Sequence, residues 1–212
     1  MSPHEAAGAL AQATLSMHLS GVPLMRRLLP ADAPMRLWDH YPADDIVCPV
    51  SGARYFYHAH PPEESGADEH GHFHLFLPVR AMAAPALPLI APDRPAQPDD
   101  WVHIAALAVS EAGLPSALFT VNRWVTDEWL YPAHSIISAI DRFDLRRAPG
   151  DALVNTWLTA AVALCAPLIA VLLAERDQVL LAHDPVGEDR AFEVISRAPV
   201  DLQALFEAAS GG

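Results

Sequence analysis

Lysine is absent from this sequence: all 13 basic residues are arginine, against 26 acidic residues, for a formal net charge of −13. The preference for arginine has no mechanistic content by itself, but the charge balance does. An acidic chain without a basic stripe repels phosphate backbones, so nucleic acid is not an expected partner. Cysteine is nearly as scarce, with Cys48 and Cys165 alone and no CxxC pair. This argues against a disulfide framework and makes the reducing cytoplasm the expected compartment. The N-terminus, MSPHEAAGALAQATLSMHLSG, lacks both a basic leader and an unbroken apolar run, so it does not read as a signal peptide. GxSxG, P-loop and GxGxxG motifs are also missing. Cys48 has no histidine at useful range and Cys165 sits among apolar neighbours, which leaves nucleophilic cysteine chemistry without support.

What is present describes a folded chain. Apolar residues make up 52% and charged residues 18% of 212 positions, enough to bury a core and suited to one domain. One run, Ala152 to Ala174, carries no charge and is long enough to span a bilayer. Asn155, Thr156, Thr159 and Pro167 interrupt it, and its flanks show no positive-inside asymmetry. It reads as a buried core helix, so no membrane partner is expected.

The pattern is helical at both ends and β-rich between. Residues 3–29 read as one or two helices broken near Gly21–Pro23, and 36–54 as turns around a short strand. In the β-rich stretch 36–130, ARYFYHAH and HGHFHLFLPVR alternate as strands of a long hairpin, 54–78. WVHIAALAVS and SALFTVNRWVTDEW read as a second hairpin, 101–129. The Pro-rich stretch 83–100 is a connection. Helices return over 132–182, with a short one at 132–142, a stronger one at 151–164, and a further one begun by Pro167 and running to about residue 176. QVLLAHD and RAFEVISR read as closing strands ending by 197, or the first extends the helix. The expected class is α+β, an antiparallel sheet of about four to six strands packed by N- and C-terminal helices.

Five of the 11 histidines fall in residues 55–78: His58, His60, His70, His72 and His74. In a strand, residues two apart share a face. His58 and His60 therefore project together, as do His70, His72 and His74, while Tyr57, Phe73, Leu75 and Leu77 point the other way. If the two strands pair, one hairpin converges three or four imidazoles, the commonest protein ligands for zinc, iron and copper. His58, His60, His72 and His74 form the ligand pool. Glu64 and His70 stand in reserve, and a third ligand could also come from His103 or Glu69. A three-ligand site with an open position suits metal-assisted chemistry. A metal-free proton-handling site and a solvated polar edge remain open as alternatives at this stage.

One stretch, GARYFYHAHPPEESGADEHG, resembles the first motif of the cupin superfamily through Gly52, His58, His60, Glu64 and Gly71. That resemblance implies a small β-barrel in which two His and one Glu bind a metal. Pro61 and Pro62 depart from the motif, and its second half is not found downstream. More broadly, YFYHAHPP, EHGHFHLFL and SALFTVNRWVTDEWL together resemble a bacterial family of unknown function, which implies no activity.

Elsewhere, FTVNRWVTDEWLYP offers Arg123 for a carboxylate and Trp124 to shape a ligand pocket, or a strand end in which the pair is structural. His103 joins Arg123 and Trp124 as a ligand-binding candidate. His40 with Asp44 and Asp45, His134 and His183 read as turn or cap residues, and His18 as a helix-face residue. The function expected is a soluble His-rich transition-metal-binding protein, with a metalloenzyme acting on a small molecule as its sharper form. The alternative is a non-enzymatic binding module with the hairpin as a polar rim.

Overall fold

A computed structural model of the chain describes residues 1–30, 33–61, 69–83, 86–92, 94–95, 97 and 100–211. It has one six-stranded antiparallel sheet and five helices, an α+β fold. In chain order these are α1 (Pro3–Leu19), β1 (Tyr41–Val47), β2 (Arg54–Ala59), β3 (Gly71–Pro78), β4 (Trp101–Val109), β5 (Pro115–Val121), α2 (Arg123–Thr126), α3 (Ala133–Ile137), α4 (Ala152–His183), β6 (Val194–Pro199) and α5 (Leu202–Ser210). The strands lie side by side in sequence order, β1 to β6. Both expected hairpins form. Among the described residues β1 and β6 do not pair, so the sheet does not show the barrel that the cupin likeness implies.

Local chemistry explains the helix starts. Ser2 and Glu5 form a capping box at α1, with the Ser2 amide donating to the Glu5 carboxylate and the Glu5 amide to the Ser2 hydroxyl. Asp151 caps α4 by accepting from the amides of Leu153 and Val154. From there α4 runs unbroken to His183, which corrects the expectation of a break before Pro167. Pro167 lies on the exposed side and Ala163, whose carbonyl loses its helical donor, is only partly buried. Water can serve that carbonyl, so the helix continues. QVLLAHD belongs to α4, while RAFEVISR supplies β6. The expected 132–142 helix is two short pieces, α3 and a 3-10 turn at Ile140–Arg142.

The long apolar helix is a core element, as its composition suggested. It is long and apolar enough to cross a membrane, but Trp157, Leu158, Ala161, Leu164 and Leu172 are buried in the fold. The Trp157 indole N–H donates to Thr14 of α1 at 3.1 Å, tying the two helices together. Their apolar sides pack on one face of the sheet, against Tyr55, Tyr57, Phe73, Leu75, Leu107 and Leu118. The opposite face carries a smaller cluster, Ala106, Ala108, Ala117, Phe119 and Val121, with Val125 of α2 against it. One side of the sheet therefore supplies most of the core and leaves the other free for chemistry.

Gly71 opens β3, where a Cβ would collide with the His58 carbonyl oxygen and the Tyr57 hydroxyl. Gly71→Ala should destabilise the protein by about 1–3 kcal/mol through forced strand separation. Chemical denaturation measures this, and an unchanged midpoint would show that β2 and β3 do not approach so closely.

Candidate metal centre

Strand register assembles the site. His58 pairs with His72 across β2 and β3, and Phe56 with His74. On the next strand Ala108 stands opposite His72 and Ala106 opposite His74, and beyond them lies Ala117. Three methyl side chains beside the imidazoles leave the room that larger neighbours would take.

The result is a triangle of Nε2 atoms. His58 and His72 are 2.8 Å apart at Nε2, His72 and His74 3.1 Å, and His74 and His58 3.2 Å. These three form the candidate metal-holding group among the described residues. An ion about 2.0–2.1 Å from each nitrogen would see them at angles of roughly 85–105°, a cap on one side of the ion.

The outer nitrogens of two of these rings are tied down. His72 Nδ1 is 3.1 Å from Glu69 Oε1, and the second Glu69 oxygen accepts from Arg197 on β6 at 2.7 Å. A carboxylate accepts only, so His72 carries its proton on Nδ1 and presents a lone pair at Nε2. Burial alone would push the Glu69 carboxyl up, but hydrogen bonds from His72 and Arg197 outweigh it and hold the group below its usual range. His74 Nδ1 faces His103 Nε2 at 3.1 Å.

His103 reaches this face only through an irregularity. In β4, Ala106 pairs with His74 but His103 pairs with Phe76, so β4 carries one extra residue where the register shifts. A regular strand would put His103 on the opposite face from Ala106, and the bulge turns it back.

The imidazoles are neutral. Burial, followed by repulsion from His72 and His60, pushes His58 down to about 2. Burial and then the Arg176 charge take His103 to about 3. Burial also depresses His74 strongly, and it depresses His72 against the upward pull of Glu69. His72 and His74 of β3 and His103 of β4 are at most 6% exposed, so these three do not form a solvated edge.

The remaining candidates fall in different places. His60 sits just past β2, its ring parallel to His72 at 4.6 Å and edge-on to His58 at 4.6 Å and Trp38 at 4.3 Å. His70 leaves the cluster: its Nδ1 is 2.5 Å from the Tyr57 hydroxyl. Glu64 lies outside the described residues. Arg123 and Trp124 do not continue β5, which corrects the strand expected to run to 129. Asn122 ends that strand by accepting from the Arg123 amide and donating to Asp184, and a helical turn follows. Arg123 then pairs with Asp127 and Glu188, and Trp124 donates to the Asp189 carbonyl.

A cleft of about 580 Å³ opens over the triangle. Trp38, Phe119, Val121, Val125 and Val194 form much of its wall, with Glu193 and Arg197 also present. Sequence reasoning missed Arg197, Phe119 and Trp38, which are distant in the chain and carry no motif. Glu69, considered as a ligand, instead orients one.

A family described as a domain of unknown function, DUF6969, matches residues 4–200. The chain belongs to that family. The likeness to an uncharacterised family is thereby confirmed, and the DUF6969 description assigns no chemistry. No curated protein and no solved structure matches the chain.

The buried histidines fix a pH response. Each takes up a proton near pH 6.5 when unfolded, whereas folding holds His58 at about 2 and His103 at about 3. Unfolding therefore binds protons below about pH 6.5, and stability that is complete above that pH falls as pH drops toward the folded values. The slope should approach about 1.4 kcal/mol per pH unit for each histidine involved. Denaturant midpoints measured from pH 7.5 to 5 test this. A flat profile would contradict burial of the neutral rings.

Proposed function

We propose that this protein holds one transition-metal ion on the Nε2 atoms of His58, His72 and His74 and presents it to a small molecule in the cleft above, as a metalloenzyme. The convergence of three Nε2 atoms carries the reading. Each offers one in-plane position, either a lone pair or a proton. A proton shared along one edge of the triangle leaves the other edges mismatched, whereas a cation satisfies all three lone pairs at once. The fixed His72 tautomer and the neutrality of the rings meet the requirements of ligation.

Bound there, an ion would polarise a donor atom of the guest or acidify a coordinated water. Imidazole sets accept zinc, iron or copper. Burial of the cluster favours this reading over a binding module with a polar rim. The two free, buried cysteines suit a reducing cytoplasm, the acidic charge disfavours nucleic acid, and the burial of α4 disfavours a membrane partner.

Elemental analysis of protein prepared without a polyhistidine tag decides the matter. About one equivalent of metal should survive dialysis, and His72→Ala or His74→Ala should remove it. Glu69→Gln should weaken affinity roughly 10- to 100-fold, because it loosens His72 without deleting a ligand. A chelator should lower the melting temperature of the wild type only. Equal metal content in the wild type and His74→Ala, whether none or one, would refute the site.

A further inference from the structure

The cleft also describes its guest. Its floor is the nitrogen triangle, and Phe119, Val121 and Val125, with the half-exposed Trp38 and Val194, make an apolar side. Trp38 is held as a wall, with its amide donating to the Ala59 carbonyl and its ring edge-on to His60. The volume of about 580 Å³ falls within the range of small-molecule sites. Among the described lining residues, Glu69, Glu193 and Arg197 are the charged groups beside the imidazoles, and the rest of the wall is apolar or aromatic.

The charges constrain the guest further. Arg197 is already committed: it donates to Glu69 at 2.7 Å and lies 5.0 Å over the Phe119 ring. A substrate carboxylate drawn to its remaining N–H groups would compete with Glu69 for the same positive charge. Glu193 adds negative charge to the lining and repels an anionic tail. With three neutral ligands, the unmatched positive charge lies on the ion itself. A guest therefore gains most by placing an anionic donor on the ion and an apolar body against the wall.

Building on the metal reading above, we infer that the guest is a small molecule with an aromatic or branched apolar body and one anionic oxygen or sulfur head that coordinates the ion. The head group anchors it and the wall selects the body.

Full-length protein loaded with cobalt(II), whose visible spectrum reports ligand exchange, should be titrated with benzohydroxamate and acetohydroxamate. These share a metal-binding head and differ in the body. Benzohydroxamate should bind at least about tenfold tighter, since its ring leaves water for an apolar wall. Val194→Asp, at an exposed position of β6, and Val125→Asp should each cut that preference to about threefold or less while leaving the cobalt spectrum of the unliganded protein unchanged. Cobalt bound with equal affinity for the two hydroxamates, or a preference that survives both substitutions, would overturn the guest assignment and leave the metal site intact. Failure to bind cobalt at all would overturn both.

Discussion

The register of β2 against β3 is the constraint on which the site depends. Side chains alternate strictly along a strand, so a one-residue slip would send His58 to the opposite side of the sheet from His72 and His74. It would also drive Tyr57 and Phe73 out of the helix-covered core. Large buried aromatics on one face therefore hold the register that the imidazoles on the other face require. Tyr57 and Phe73, paired across the strands and each fully buried, hold it most directly. Gly71 adds to this, because its lack of a side chain lets the strands approach where the hairpin begins its return.

The division of labour between the two faces follows from energetics. Burying neutral imidazoles costs free energy unless their nitrogens are matched, and the matches come from opposite directions. Glu69 serves His72 from the start of the return strand, and His103 serves His74 from β4. The helix-covered face, with α1 and α4 stacked through Trp157, provides the burial that offsets this cost. Small neighbours complete the arrangement: Ala106 and Ala108 admit the rings, which branched side chains at the same positions would displace.

Much of this was legible in the sequence, for one physical reason. The period-two rule ties HxH spacing to a shared face, so the sequence alone groups His58, His72 and His74. The rule fails where backbone regularity fails. His103 has the wrong parity relative to Ala106 and reaches the site only through an extra residue in β4, which leaves no mark in side-chain chemistry. Asn122 ends β5 by capping a helical turn, so the alternation read through Arg123 and Trp124 described a strand that is not there. Pro167 misled in the opposite sense, because its effect depends on whether the freed carbonyl meets water. His70 has the parity of His72 but precedes the regular strand, and it turns to Tyr57 instead.

The site also explains why the chain needs its late elements. Arg197 lies on β6, more than a hundred residues after the hairpin, and reaches the cluster because α4 carries the chain back to the free edge of β5. Phe119 and Arg197 are then register partners, with the guanidinium over the ring and its charge on Glu69. Without β6, Glu69 would lose the cation that opposes its desolvation, and the proton on His72 Nδ1 would lose a fixed acceptor. The family match, residues 4–200, runs from α1 through the end of β6 and stops before α5. That span contains the nitrogen triangle, its orienting partners and the described wall of the cleft.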